Sequence, residues 1–262
     1  DIEGIKTILD ARDPSDIELI RLKARDLLFQ HCSDQVYFRG IVEFSNQCDC
    51  DCFYCGIRKS NHELKRYCLS EKEILECAQF CMEKGYGSMV LQSGERSDPE
   101  FVDFLLHLIG KIKKHTCSEK LKDGLGITLS VGEQTKESFQ RLFDAGAHRY
   151  LLRIESSNPD LFRQIHPSRQ SFTKRVQCLE WIKEIGYQVG TGVMIGIPGQ
   201  TTKMLAEDIL FFKKMNVDMI GMGPFLIHKA TPMKRFEKQV EASKEELFIQ
   251  SLLMIAATRI VL

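Results

Sequence analysis

The sequence predicts an α/β fold of the TIM-type (β/α) barrel class. Two observations carry this prediction. After Cys32, short β-rich runs alternate with helical patterns through six βα units, and polar motifs follow almost every predicted strand. Such alternation implies a parallel sheet covered by helices, and a barrel gathers all its strand ends at one mouth, whereas an open sheet gathers only a few. We expect an N-terminal helical segment over residues 1–35 and a barrel over 36–262, with eight units in the full-length protein and the last two missing here.

Six strands are predicted, at Arg39–Phe44, Ser88–Leu91, Gly126–Val131, Arg149–Ile154, Gln188–Ile195 and Asp218–Met222. Helices are predicted at Ser70–Lys84, Pro99–His115, Lys136–Ala145, Met204–Met215 and Ser243–Leu262, with a broken helical region at Pro159–Ile185. The first of these opens on a Ser-x-x-Glu capping box. Gly85, Gly146 and Gly186 each lie between a helix end and the next strand, where a C′ glycine belongs.

Composition narrows the class of partner and compartment. Lys+Arg and Asp+Glu are both 36, so the net charge is zero, which argues against nucleic acid or an anionic membrane as the main partner. No apolar run reaches the roughly 18 residues of a spanning helix, and the N-terminus carries no signal-peptide pattern. Four of the ten cysteines cluster and six are scattered, a usage typical of a reducing compartment such as the cytoplasm or a reducing organelle.

The segment FSNQCDCDCFYCGIRKSN follows the first predicted strand and contains the four clustered cysteines. Cys48, Cys52 and Cys55 have C-x3-C-x2-C spacing, which leaves Cys50 as the odd one and predicts a spacer role for it. Structural zinc takes four ligands, usually in two separated pairs, and no nearby fourth candidate has a standard zinc spacing. Three thiolates on a [4Fe–4S] cluster leave one iron without a protein ligand, which is the open position that chemistry needs.

This spacing, with the aromatic Tyr54 before the last cysteine, resembles the radical S-adenosylmethionine (SAM) superfamily. The resemblance implies that Cys48, Cys52 and Cys55 are catalytic ligands of a [4Fe–4S] cluster whose open iron binds the amino and carboxylate groups of SAM. One electron, from a reductant such as ferredoxin or flavodoxin, would then break the sulfonium bond and give a 5′-deoxyadenosyl radical.

The same resemblance implies a SAM pocket at the strand ends. Ser93, Gly94 and Glu95 resemble the superfamily's Gly-Gly-Glu motif, which accepts the SAM ammonium. Arg175 is a candidate for a bidentate contact to the SAM carboxylate, because a guanidinium presents two parallel N–H donors.

Further candidates follow other strands. Glu155 is placed to accept the ribose hydroxyls, and Ser130 can add a hydroxyl beside the methionyl group. Flat apolar cover for adenine is available from Tyr54, Met194, Met219 and Leu226. Each has a simpler alternative: Glu155 can form an ion pair with Arg153, Arg175 can be a solvated helix residue, and the methionines can be core residues.

Beyond the cysteines, the chain resembles the HydE family of [FeFe]-hydrogenase maturases from about Val36 to its end. The segments that carry this resemblance are IVEFSNQC, YCGIRKSN, LKRY, VLQSGE, ITLSVGE, RYLLRIESSNP, MIGIPGQT, DMIGMGPF and ATRI. It implies an internal cavity, action in assembly of the hydrogenase H-cluster on a cysteine-bound Fe(CO)2(CN) precursor, and work alongside other hydrogenase maturases. Gln92 and Arg149 match family positions that bind an anionic, amino-acid-like guest.

Two positions depart from the family pattern. Ile154 stands where a histidine is expected, and Cys50 adds a thiol to the loop. Two alternatives stay open at the sequence level. One is another biotin synthase-like radical SAM enzyme, such as a methylornithine synthase, and the other is a barrel whose iron–sulfur or zinc site is not catalytic.

Overall fold

The computed structural model describes residues 1–262. The strands are β1 Gly40–Ser45, β2 Ser88–Ser93, β3 Gly126–Ser130, β4 Arg149–Leu151, β5 Gln188–Ile195 and β6 Met219–Pro224. The helices are α1 Ile2–Leu9, α2 Pro14–Cys32, α3 Glu71–Glu83, α4 Pro99–His115, α5 Lys136–Asp144, α6 Pro159–Ile165, α7 Phe172–Ile185, α8 Thr202–Met215, α9 Glu237–Ala242 and α10 Lys244–Val261. All six strands run parallel in one sheet in chain order, which confirms the predicted α/β class with the strand order of a (β/α) barrel.

Local sequence signals account for where these elements begin and end. The Ser70 side chain accepts from the Glu73 N–H while the Glu73 carboxylate accepts from the Ser70 N–H, so the predicted capping box forms. Gly85, Gly146 and Gly186 have φ of +74°, +111° and +105°, a left-handed conformation that glycine adopts without steric cost. Each helix therefore ends where the sequence predicts.

The fourth strand is shorter than predicted. The sequence indicates Arg149–Ile154, but only Arg149–Leu151 pairs regularly as β4. The chain then leaves the sheet and touches β5 again through a single bridge from Glu155 to Val193. Glu155 itself has a φ of +63°, a left-handed conformation that interrupts the regular strand.

Two short helices were not predicted between β6 and α10. A 3-10 helix spans Pro232–Phe236 and α9 follows it directly. Elements of five and six residues are too short for a periodic apolar pattern to reveal them.

Alternation along the strands gives the sheet two different faces. Phe44 is fully buried against the helices and stacks on Phe101 of α4, with ring centroids 6.3 Å apart. Its neighbour Glu43 must point to the opposite, inner face, and the register aligns Glu43 with Gln92 and Gln92 with Ser130. The inner face is therefore polar near the carboxyl ends of β1 to β3.

The two N-terminal helices pack against the outer helices of the sheet. Ile5 and Leu9 of α1 join the same apolar core as the strands. Helix α1 contacts α8 and α10, and α2 contacts α10. None of the helices combines the length and the apolar character needed to cross a membrane.

Candidate active site

The cysteine loop between β1 and α3 has no regular secondary structure, so side chains fix its path. The buried Asn46 amide donates to the Lys65 carbonyl at 2.9 Å. The Arg66 guanidinium donates to four loop carbonyls, those of Asn46, Ile57, Arg58 and Asn61, at 2.6, 2.7, 2.6 and 3.4 Å. These bonds satisfy backbone groups that would otherwise lack partners, and they hold the thiols in a fixed arrangement.

Cys48 lies in a donor-rich environment. Its Sγ accepts from the backbone N–H groups of Cys50 and Glu95, both at 3.4 Å. A hydrogen bond from the Cys50 thiol, opposed by burial, lowers the pKa of Cys48 to about 7. The Cys50 thiol also lies 3.0 Å from Glu95 Oε1, and its proximity to Cys48 raises its own pKa. The Cys50 side chain thus points toward Cys48 and Glu95.

Cys52 and Cys55 lie in a less polar setting. The Cys52 thiol donates to Gln170 Oε1 at 3.2 Å, and burial raises its pKa to about 12. Burial also raises the pKa of Cys55. Both thiols therefore stay protonated at neutral pH until a metal replaces the proton.

The donor set fits an iron–sulfur cluster better than a single ion. No three His, Cys, Asp or Glu side chains converge closely enough to hold one metal ion. The thiolates of a [4Fe–4S] cluster bind different irons, so they need not converge. All ten cysteines are free of disulfides, which leaves Cys48, Cys52 and Cys55 available as candidate ligands.

Glycines bring the loop and the strand ends into close contact. A Cβ on Gly94 would lie 2.2 Å from the Gln47 carbonyl oxygen. A Cβ on Gly132, whose φ is +84°, would lie 2.1 Å from Glu95 Cγ. Both positions require glycine, because any side chain would push Glu95 or the cysteine loop away.

Arg175 joins two carboxylates beside the loop. Its Nε lies 2.6 Å from Glu133 Oε1, its Nη2 lies 3.5 Å from Glu95 Oε2, and its Nη1 donates to the Arg153 carbonyl at 2.7 Å. Burial lowers the pKa of Arg175, but the two carboxylates outweigh burial and leave that pKa above its ordinary value. With 6% of its surface exposed, Arg175 is not the solvated helix residue of the alternative interpretation. Three of its five N–H groups face these partners, and two are left.

Glu155 is held in a strained backbone conformation. Its N–H donates to the Gly192 carbonyl at 2.9 Å and its carbonyl accepts from the Met194 N–H at 3.1 Å. Its carboxylate pairs with Arg153 Nε at 3.0 Å, so the ion pair considered from the sequence does form. A left-handed non-glycine residue costs of order 1–3 kcal/mol and often marks a functional position. Ile154 is fully buried in the apolar core, so a polar contact from that position is excluded.

The four candidates for adenine cover separate into two groups. Tyr54 and Met194 pack at the edge of the same small apolar cluster, and the Tyr54 ring contacts His166 edge-on with centroids 5.5 Å apart. Met219 is the first residue of β6 and so lies at the opposite end of that strand. Leu226 is 71% exposed. The structure brings together Tyr54 and Met194 only.

Serines and a glutamine end the neighbouring strands. The Ser93 hydroxyl donates to the carbonyl of the next residue at 2.7 Å, and Ser130 is the last residue of β3. Gln92 Nε2 donates to Glu43 Oε1 on the inner face at 3.1 Å. The amide predicted to contact an anionic guest is therefore already paired with a carboxylate.

Arg149 lies far from these groups along the sheet. It is the first residue of β4, hydrogen-bonds Gln188 and lines a groove of about 410 Å³ at the amino ends of the strands. Burial and the nearby Arg39 lower the pKa of Arg149. It faces the inner side, because its neighbour Tyr150 packs outward on Phe139.

Two residues near the thiols were not predicted. Glu133 contacts Arg175 and is the last residue of the SVGE motif after β3. Its position after a strand, which made Ser130 a candidate, could also have identified Glu133. Gln170 lies in the turn between α6 and α7, where no motif distinguishes it, and only the fold brings it to Cys52.

Comparison with known proteins identifies the family. Residues 42–212 match the Radical SAM superfamily. The chain is 40% identical over 99% of its length to the [FeFe] hydrogenase maturase subunit HydE of Thermotoga maritima, covering 70% of that protein. It is 24% identical over 92% of its length to 3-methylornithine synthase of Methanosarcina acetivorans, covering 67% of that protein.

Solved structures agree on the fold. Methylornithine synthase (PylB) superposes with a TM-score of 0.82 at 20% identity, over 99% of this chain and 80% of that one. The maturase HydG from Carboxydothermus hydrogenoformans superposes with a TM-score of 0.78 at 20% identity, over 98% of this chain and 60% of that one. With a superfamily match over most of the chain and 40% identity to a HydE subunit, the chain belongs to the HydE family of radical SAM enzymes.

Proposed function

We propose that this enzyme binds a [4Fe–4S] cluster through Cys48, Cys52 and Cys55, cleaves SAM reductively, and acts in assembly of the hydrogenase H-cluster on a cysteine-bound Fe(CO)2(CN) precursor. One observation carries the proposal: the Cys48 thiol accepts from the Glu95 N–H, and Glu95 belongs to a mostly buried network in which Arg175 contacts both Glu95 and Glu133. Identity to a HydE subunit supports the hydrogenase part.

The loop residues have a defined role in this proposal. When bound, the cluster and SAM together supply a one-electron cleavage of the sulfonium bond that yields an adenosyl radical. The N–H donors of Cys50 and Glu95 stabilise negative charge on Cys48, and the glycines at 94 and 132 keep Glu95 against the loop.

Charge balance supports SAM as the second ligand. Arg175 with Glu95 and Glu133 leaves one negative charge in a mostly buried network. SAM carries a sulfonium, an ammonium and a carboxylate, so its net charge is +1 and complements that network. Glu95 would accept the ammonium, while Arg175 would hold Glu95 in place and offer its remaining N–H groups to the carboxylate.

Other residues would position the rest of SAM. Glu155, fixed by the ion pair to Arg153, would accept the ribose hydroxyls, and the Ser93 and Ser130 hydroxyls would lie beside the methionyl group. Tyr54 and Met194 would cover adenine. Met219 and Leu226 are not part of this proposal, because one lies at the opposite end of its strand and the other is exposed.

Gln92 and Arg149 remain the proposed substrate contacts. Both face the inner side of the sheet, one near its carboxyl edge and one at its amino edge. Since Gln92 already donates to Glu43, this pair suits the ammonium of an amino-acid-like guest. The unpaired charge of Arg149 lies farther along the sheet and suits a separate anionic group of that guest. Other hydrogenase maturases would supply the guest and take up the product, and ferredoxin or flavodoxin would supply electrons.

The first test is reductive SAM cleavage by the protein reconstituted anaerobically with iron and sulfide. Dithionite and SAM should yield 5′-deoxyadenosine and methionine. A reconstituted cluster that reduces but releases neither product would support a barrel with a non-catalytic cluster.

The second test isolates the substrate. Arg149→Ala should leave the iron content and SAM affinity unchanged but abolish hydrogenase maturation. Arg141→Ala, which removes an exposed arginine from an outer helix, is the matched control. Normal maturation by Arg149→Ala would remove that residue from the substrate site.

A further inference from the structure

We propose that Gln170 donates an N–H hydrogen bond to the Cys52 thiolate when the cluster is bound, and thereby raises the reduction potential of the cluster. This inference rests on the cluster proposed above. It assigns a positioning and tuning role to a residue outside the three-cysteine motif.

The carboxamide of Gln170 is already in contact with the ligand sulfur. Cys52 Sγ lies 3.2 Å from Gln170 Oε1. Gln170 Nε2 is buried and has no hydrogen-bond partner, although a buried amide nitrogen normally finds one. The side chain therefore offers an unused donor one rotation away from the sulfur.

The backbone holds this amide against the cysteine loop. The Gln170 N–H donates to the Pro167 carbonyl at 2.9 Å, which closes the turn between α6 and α7. The same segment contacts the loop twice more, through a bond from the Phe53 N–H to the Ile165 carbonyl at 2.9 Å and one from Arg169 to the Asp49 carbonyl. These contacts keep the Gln170 backbone next to the cysteine loop, within reach of Cys52.

Binding of iron to Cys52 changes which atom of the Gln170 carboxamide its sulfur can hydrogen-bond. A free Cys52 thiol donates its proton to Oε1, but an iron-bound thiolate has no proton and accepts only. Oε1 would then face a negatively charged sulfur. Rotation of the amide by 180° exchanges oxygen and nitrogen at almost no steric cost, relieves that repulsion and gives Nε2 its missing partner.

Such a bond has a measurable consequence. Hydrogen bonds to cluster sulfurs stabilise the more negative, reduced state and so raise the reduction potential. In Gln170→Leu, which keeps the volume but has no donor, we expect the ratio of reduced to oxidised cluster at a fixed potential to fall by up to about tenfold, or about 59 mV for a one-electron couple. Gln164→Leu, at an exposed position of α6, is the matched control.

The experiment is an EPR-monitored redox titration of the reconstituted wild-type protein and both variants, with iron content measured in parallel. A lower midpoint potential in Gln170→Leu alone supports the proposal, and equal midpoints at equal iron content overturn it. Failure of the wild-type protein to form a cluster would instead contradict the proposed function.

A measurement on the unmodified protein covers the case in which Gln170→Leu does not hold the cluster. Protein labelled with 15N in the glutamine side chains, reduced and examined by pulsed EPR, should show a 15N coupling to the cluster. Absence of that coupling would overturn the proposal.

Discussion

The carboxyl edge of the sheet buries charge, whereas the space between the sheet and its helices buries hydrocarbon. At the edge, Arg175 is nearly inaccessible between two carboxylates, and Glu155 holds a left-handed conformation. In the core, Phe139 and Tyr150 are fully buried and meet edge-to-face, with ring centroids 4.9 Å apart. Buried charge and backbone strain cost stability, so the core must offset what the edge loses. We infer that stability and function reside in separate sets of residues.

The largest effect that this comparison predicts is at the cysteine loop. Cys48→Ala, Cys52→Ala or Cys55→Ala should abolish the visible absorbance of the reconstituted cluster and all SAM cleavage, because each removes a thiolate ligand. Cys50→Ala should retain both. Loss of the cluster in Cys50→Ala, as complete as in the other three variants, would mean that the ligand assignment is wrong.

The core should respond in the opposite way. Phe139→Ala should lower the free energy of unfolding by about 3–5 kcal/mol, the usual cost of removing a buried aromatic ring. Below its melting temperature the variant should bind SAM with unchanged affinity. Urea denaturation measures the free energy of unfolding, and SAM titration of the same sample measures the affinity. A parallel loss of SAM affinity would contradict the separation of stability from function.

A smaller effect is expected at the charged edge. Arg175→Ala should weaken SAM binding by roughly 1.5–3 kcal/mol, because it removes a charge-assisted contact and frees Glu95 to move. Glu155→Gln should weaken SAM binding through the ribose. Calorimetric titration of both variants, with the exposed Arg163→Ala as control, checks this. Unchanged affinity in both would leave them as structural ion pairs.

The smallest effect is a change in the pH dependence of stability. Asp208 of α8 accepts from the Ser157 N–H at 2.6 Å beside the Glu155 turn, its second oxygen has no partner, and burial raises its pKa to about 7. Between pH 3.8 and about 7, Asp208 is therefore protonated in the native state. In the unfolded chain, where its pKa is 3.8, the same carboxyl is ionised. Stability from this group is complete below pH 3.8 and is lost as pH rises toward about 7. Asp208→Asn should remove this decrease of stability with pH. Melting temperatures measured from pH 4 to 8 check the prediction, and an unchanged decrease in the variant would exclude Asp208 as its source.

The sequence predicts the regular elements of this fold better than the site's internal contacts. Capping at Ser70 and the turn at Gly186 depend on neighbouring residues, so the local pattern is sufficient to predict them. The early end of β4 depends on Glu155, whose left-handed conformation is held by bonds to β5. No local signal encodes those bonds.

The site shows the same limit. The spacing of the thiols and the motifs at strand ends predict which residues gather there, since parallel strands share one edge. They do not identify which charges pair, so the contact of Arg175 with Glu133 and that of Cys52 with Gln170 follow only from the fold. Met219 was assigned to the site by residue type alone, and its position at the start of β6 separates it from Tyr54 and Met194.

The most direct test of the account is whether SAM binds the iron that the proposed ligands Cys48, Cys52 and Cys55 would leave open. Pulsed EPR of the reduced, reconstituted protein with SAM labelled by 15N in its amino group and 17O in its carboxylate reports such binding. We predict couplings from both labels in the wild-type protein and in Cys50→Ala. A reduced cluster that shows neither coupling at saturating SAM would contradict the proposed active site.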